Sequence, residues 1–158
     1  MTNILQVKNL NIYFDREIIV KDLSFDLIKG ESLAIIGPNG SGKTTLLKAL
    51  IGTISYEGEV RWGNSIKIGY VPQKIDLEKK LPLTLEDFLL TKIKIKNCPK
   101  DDLKKVLKLV NLSEKLLREP LVLLSAGQFQ RATIAFALID RPDVLLLDEP
   151  TSGVDLPG

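Results

Sequence analysis

Hydrophobic positions along the first part of the chain recur at every second residue, and further on they take up a helical period. Leu5 and Val7, then Leu10, Ile12 and Phe14, alternate with polar residues, which predicts a strand pair or one bent strand over residues 4–14. Asp15-Arg16-Glu17 is a polar turn. A second strand is expected from Ile18 to Ile28, with Leu23, Phe25 and Leu27 on one face. Lys29-Gly30-Glu31 turns the chain into Leu33-Ala34-Ile35-Ile36, an apolar run expected as a buried parallel strand. Thr45 to Ile51 reads as a helix closed by Gly52.

The same reading continues downstream. Tyr56 to Gly63 is a short strand bracketed by glycines, and Ile66 to Val71 is a strand stopped by Pro72-Gln73. Leu81 to Leu90 looks helical, with Thr84 as N-cap and Asp87 three residues on. Ile93 and Ile95 alternate with Lys92, Lys94 and Lys96, a pattern of strand or loop. Pro99 opens an amphipathic helix with Leu103, Val106, Leu107 and Val110 at i, i+3, i+4 and i+7. Ser125 and Gln128 have capping-box spacing, and the helix they begin is apolar almost all round from Ala132 to Ile139, so burial is expected. Val144 to Leu147 is a second buried strand. It delivers Asp148 and Glu149 to its C-terminal end, where ligands of open α/β sheets bind.

Composition changes this picture little. A chain of 158 residues with 44% apolar and 27% charged side chains is one soluble domain with a real core. The net charge of +2 points to no partner. Lys104, Lys105 and Lys108 line one helix face, read as a solvated face before any site for nucleic acid or acidic lipid. Cys98 is the only cysteine, which leaves no intramolecular disulfide and no cysteine metal cluster, in keeping with a reducing cytosol. The N-terminus lacks the features of a signal peptide. No apolar run approaches the ~18 residues of a membrane span, so no direct membrane insertion is expected.

The chemistry enters at Gly37-Pro38-Asn39-Gly40-Ser41-Gly42-Lys43-Thr44, which fits the phosphate-loop pattern G-x-x-x-x-G-K-[ST]. Its glycines let backbone N–H groups converge on a polyphosphate, and a helix N-terminus adds partial positive charge. Lys43 would reach the β- and γ-phosphates, and the Thr44 hydroxyl would ligate Mg²⁺. Hydrolysis needs more: a metal ligand and a group that polarises water. Asp148 suits the first task and Glu149, one residue on, the second. An Asp-Glu pair alone often merely ends a strand; followed by Pro150-Thr151, downstream of a phosphate loop, it is far more specific.

Leu124-Ser125-Ala126-Gly127-Gln128 resembles the signature motif of the ATP-binding cassette (ABC) family, with Ala126 in place of the usual first glycine. The resemblance covers essentially the whole chain. It implies an α/β fold of the P-loop nucleoside triphosphatase type, with N-terminal antiparallel strands and a helical, signature-bearing subdomain at 74–124 inside one domain, 1–158. It implies that Phe14 stacks on adenine, with Tyr13 as the fallback, and that Gln73 senses Mg²⁺ and a transmembrane partner. Asp155, in Ser152-Gly153-Val154-Asp155, falls in the loop that crosses the dimer interface. The implied nucleotide contacts are Phe14, Gly37, Asn39, Gly40, Ser41, Gly42, Lys43, Thr44, Thr45, Ser125, Gly127, Gln128 and Asp155. Glu149, Gln73 and Lys43 are the implied catalytic set, and Thr44, Gln73 and Asp148 the Mg²⁺ set.

Further consequences are expected from the same resemblance. The family works as a head-to-tail dimer with ATP at the interface, where Ser125 and Gly127 of one subunit complete the γ-phosphate site of the other. A transmembrane permease is the expected partner, and the cytoplasmic face of the membrane the expected location. Ile68-Gly69-Tyr70-Val71-Pro72-Gln73-Lys74 and Leu81-Pro82-Leu83-Thr84-Leu85 look like the ATPase subunits of metal-ion uptake systems, zinc or manganese.

Beyond Ala126, the pattern departs from the family in a further respect. Members continue past the equivalent of Gly158 with a strand that lies between the phosphate-loop and Asp-Glu strands, and with a histidine that contacts the γ-phosphate. This sequence holds no histidine. A truncated gene model or fragment is the expectation, with a degenerate gene or a split protein as alternatives. The central sheet should then have a gap, or Val144 to Leu147 should pair elsewhere, or another chain should supply the strand; alone, the polypeptide should be a poor ATPase. The competing functional readings are a nucleotide-binding module that does not hydrolyse and a soluble, non-transport ABC ATPase.

Overall fold

The computed structural model describes residues 3–73 and 83–149. The chain forms two compact units, one up to Ile66 and one from Lys67 onward.

The first unit is built on β1 (Asn3–Phe14), which pairs antiparallel with β2 (Glu17–Ile28) on one side and β3 (Glu57–Trp62) on the other. The alternating residues of β1 form its core: Leu5, Val7, Leu10 and Ile12 are all buried. The step from Val7 to Leu10 breaks the period of two, and there the strand bulges. Asn9 takes a left-handed φ of 48° and donates its N–H to Ser24 Oγ at 2.9 Å, while the Asp22 N–H, on the other strand, reaches Asn11 Oδ1 at 2.9 Å. The sequence pattern is therefore one bent strand. Gly58 of β3 faces the bulge, and a Cβ there would lie 2.3 Å from the Asn9 carbonyl oxygen.

α1 (Lys43–Leu50) rests on β1, and its Leu46, Leu47, Ala49 and Leu50 are buried. Its end is closed by Gly52, at φ 75°, and by the Trp62 indole, which donates to the Leu50 carbonyl at 2.8 Å. Leu33-Ala34-Ile35-Ile36 corrects the expectation of a buried strand. It joins no sheet among the described residues, and Ile36 is 93% exposed. An apolar run is buried as a parallel strand only when neighbours satisfy its backbone on both edges, and none of the described strands pairs with it.

The second unit holds a parallel pair, β4 (Ile68–Val71) and β5 (Val144–Leu147), with Tyr70 opposite Leu146 and Val71 opposite Leu147. The expectation for β5 was burial; it is half-buried, and Leu147 is 40% exposed, because among the described residues only β4 pairs with it. α4 (Ala126–Leu138) packs on β4, close enough that a Cβ on Gly69 would lie 3.0 Å from the Ala137 carbonyl oxygen.

α2 (Leu85–Lys96) and α3 (Asp102–Leu109) complete a helical core with α4. Leu85, Leu89 and Ile93 follow one another at i+4 on the buried face of α2. The strand-or-loop reading of Ile93 to Lys96 is thus overturned: the stretch is the last turn of α2, with Ile93 packed inward and Ile95 exposed. Thr84 caps the helix in a reciprocal box with Asp87, as its sequence spacing predicts; Leu81 and Pro82 lie outside the described residues. Phe88 stacks on Phe136 with ring centroids 4.5 Å apart. Asp102, buried at the start of α3, accepts from Arg141 at 2.7 Å and from Lys105 at 3.3 Å, tying α3 to the chain just beyond α4.

Candidate functional site

The phosphate loop lies in the first unit. Its turn is closed by the Ser41 N–H on the Pro38 carbonyl at 3.2 Å, and Gly40 and Gly42 take left-handed φ values of 82° and 88°. Gly42 also has a steric role, because a Cβ there would lie 2.7 Å from Ile19 Cγ2 of β2. A Cβ on Gly37 would meet Ser41 Oγ at 2.6 Å. The loop is thus folded tightly on itself and against β2, at the start of α1. Lys43 reaches back over it and donates from Nζ to the carbonyls of Gly37 and Pro38, each at 3.0 Å. Gly42 caps α1 without a side chain, and the first turn, where a helix carries partial positive charge, has no acidic residue of its own. Asn39 is exposed in the loop, and Thr44 and Thr45 are half-buried in the first turn of α1.

The β1–β2 turn belongs to the same unit. Asp15 and Arg16 both have positive φ, 45° and 74°, the form that suits a two-residue hairpin. Phe14, at the end of β1, is 69% exposed. Tyr13 is engaged: its hydroxyl donates to Glu57 Oε2 at 3.2 Å, and that bond and the carboxylate's charge raise the phenol above its ordinary pKa. Of the two aromatics, Phe14 is the more exposed.

The second unit carries the acidic half. Asp148 follows β5, is 2% exposed, and donates its backbone N–H to the Val71 carbonyl at 3.0 Å. The Tyr70 hydroxyl donates to Asp148 Oδ2 at 3.4 Å. Burial, then the charge and hydrogen bond of Asp148, push Tyr70 up to about 12. Gln73 donates from Nε2 to Glu149 Oε2, and Glu149 turns away from the strand with φ 49°. Gln73 and Glu149, assigned separately from the sequence, are therefore partners. Tyr70 was missed; the only signal for it was its position three residues before Gln73.

Ser125 caps α4. Its Oγ accepts from the Gln128 N–H at 3.2 Å, and its own N–H donates to Gln128 Oε1 at 2.9 Å. The Gln128 side chain is used within its own helix, while the Ser125 hydroxyl proton can still be donated elsewhere. At Gly127 a Cβ would come no closer than 3.6 Å to Arg131 Nη1, so packing does not demand glycine there. Asp155 lies outside the described residues.

Comparison with known proteins agrees with these motifs. The ABC transporter family profile matches residues 20–152. The zinc import ATP-binding protein ZnuC of Jannaschia sp. (strain CCS1) is 40% identical over 99% of this chain and 63% of its own length. The protein of the same name from Photorhabdus laumondii subsp. laumondii is 38% identical over 100% of the chain and 60% of its own. The chain thus spans under two thirds of these curated relatives. Among solved structures, a metal-chelate type ABC transporter in an inward-facing conformation superposes with a TM-score of 0.84 at 32% identity, covering 98% of this chain and 63% of that one. CbiO1 of Clostridium perfringens, part of the ABC transporter complex cbiONQ, gives 0.78 at 31% identity, covering 97% and 68%.

Proposed function

The chain belongs to the ABC transporter family, and on that premise we propose that it binds Mg-ATP and hydrolyses it as the motor subunit of a membrane transporter. The observation that carries the reading is Lys43, held over a glycine loop by the carbonyls of Gly37 and Pro38 at the acid-free start of α1. That arrangement suits a polyphosphate. The fit extends to the tight contact at Gly42, where any side chain would fill the loop's seat against Ile19. Phe14 offers an exposed ring for adenine; Gly37 to Thr45 take the phosphates.

The donor set proposed for Mg²⁺ is Thr44, Gln73 and Asp148: a hydroxyl, an amide oxygen and a carboxylate, the hard oxygen ligands this ion takes. Bound with ATP, the ion neutralises charge on the phosphate oxygens. Glu149 takes the proton from a water as that water's oxygen attacks the γ-phosphorus and ADP departs. Gln73 holds Glu149 through its side-chain amide.

Two copies are proposed to act head to tail, with Ser125, Gly127 and the start of α4 of one copy closing on the phosphates of the other. The surface around Gln73 and residues 81–90 is the proposed dock for a transmembrane permease, and residues 74–124 are proposed as the helical, signature-bearing subdomain. No helix among the described residues is long and apolar enough to cross a membrane, so attachment to the cytoplasmic face is proposed to run through that partner. A metal ion, zinc first, is the proposed cargo, in line with the names of the relatives.

Equilibrium binding of ATP to the parent and to Lys43→Ala tests the reading. Loss of charge-assisted hydrogen bonds at about 1.5–3 kcal/mol should weaken ATP binding roughly 10- to 100-fold. Equal affinity in the two proteins would remove the assignment of the loop.

A further inference from the structure

We propose that Tyr70 is a positioning residue for Asp148, its hydroxyl holding the carboxylate in one orientation for the Mg²⁺ of the bound nucleotide. The inference rests on the proposed role of Asp148 as an Mg²⁺ ligand and adds a residue that this role does not include.

The register of β4 and β5 places the two together. Tyr70 pairs with Leu146, and Asp148 stands two residues beyond Leu146, so both side chains leave the same face of the parallel pair. The Asp148 N–H on the Val71 carbonyl fixes the backbone from which its carboxylate projects. The Tyr70 hydroxyl then reaches Oδ2 at 3.4 Å. A hydrogen bond of that length is weak, and it acts on direction more than on strength. It engages Oδ2 of a carboxylate that is almost wholly buried. Metal-ligating carboxylates depend on such outer partners, whose removal costs about 10- to 100-fold in metal affinity. A long bond belongs at the low end of that range. Packing alone needs only the ring, which phenylalanine would supply as well.

The test is the Mg²⁺ dependence of nucleotide affinity, read with a fluorescent ATP analogue and Mg²⁺ titrated from zero, on the full chain. Four proteins are compared: the parent, Tyr70→Phe, Asp148→Asn and Ile68→Val. Ile68 lies on the same strand, and its substitution perturbs packing without touching the carboxylate. The expected result is a Mg²⁺ midpoint raised about tenfold in Tyr70→Phe, with affinity in EDTA equal to the parent's. Ile68→Val should keep the parental midpoint, and Asp148→Asn should lose the dependence. A parental midpoint in Tyr70→Phe, with the dependence lost in Asp148→Asn, overturns the role of Tyr70 and leaves that of Asp148 standing. An equal shift in Ile68→Val also overturns it, as a packing effect. Parental dependence in Asp148→Asn removes the Mg²⁺ role of Asp148 itself, and the inference with it.

Discussion

The side-chain amide of Gln73 donates to the carboxylate of Glu149. Each residue lies two positions beyond a ladder pair, Val71 with Leu147, so the end of the β4–β5 pair brings together two groups that stand 76 residues apart. A neutral amide can hold a carboxylate in place without cancelling the charge a general base needs.

Glu149→Gln is expected to keep ATP binding, because the new amide still accepts from Gln73. Turnover should fall by about 10²–10⁴, the usual contribution of a positioned acid or base, and ATP should then accumulate a dimer visible by light scattering. Adding Ser125→Arg should abolish that dimer by setting bulk and charge at the phosphates of the opposite copy. Parental turnover in Glu149→Gln would exclude it as the base.

Gly42 of the phosphate loop and Gly127 of the Leu124–Gln128 motif should respond differently to alanine. Gly42 is at φ 88° with Ile19 Cγ2 at 2.7 Å from any Cβ, a stiff β-branched neighbour that cannot swing away. Gly42→Ala should lose about 1–2 kcal/mol for the left-handed backbone alone, and more for the clash. Gly127 has room for a Cβ and lies in the first turn of α4, where alanine is the better helix former. Gly127→Ala should therefore melt no lower than the parent, and any lost turnover would report on phosphate contacts across the proposed dimer. A lower melting temperature in Gly127→Ala would show a packing role that the structure does not contain.

What was legible in the sequence was mostly local. The capping boxes at Thr84 and Ser125 depend on residues three apart and form as read. The phosphate loop, α1 and the Asp148-Glu149 corner of β5 follow from short patterns of the same kind. Ile93 to Lys96 misled because Lys-Ile-Lys-Ile-Lys alternates like a strand; the i+4 series of Leu85, Leu89 and Ile93, packed on the other helices, decides for helix. Leu33 to Ile36 has the composition of a buried strand, but burial is a property of neighbours, which no local pattern supplies. The bond from Tyr70 to Asp148 spans 78 residues and depends on strand register, so it becomes visible only in the fold.

Asp102 should make the protein sensitive to acid. The hydrogen bond from Arg141, supported by Lys105 and opposed by burial, holds its carboxyl below the ordinary value of 3.8. A depressed folded pKa stabilises the fold above the ordinary value, and that stabilisation is lost as pH falls through the lower, folded one. Asp102→Asn removes the titration, so its melting temperature should start lower at neutral pH and decline less steeply below about pH 4. Parallel acid profiles for parent and variant would mean that this group contributes nothing to the acid transition.

Tyr70 should act at the other end of the scale. Burial first, then the neighbouring Asp148, raise it from 10.0 to about 12. A raised pKa means that the folded protein favours the neutral phenol more than the unfolded chain does. Stability from this source is complete below pH 10 and is lost as pH rises through the interval up to about 12. Half-burial lets solvent screen part of the effect, so the slope should be shallow. Tyr70→Phe has no proton to lose at this position, and its denaturation midpoint should fall less than the parent's across that interval. Tyrosinate absorbance gives a second reading: the difference between parent and variant isolates one of the three tyrosines, and it should titrate well above an ordinary phenol. A difference spectrum that titrates near 10 would show the Tyr70 hydroxyl solvated and away from Asp148. That outcome would remove the contact on which its positioning role depends.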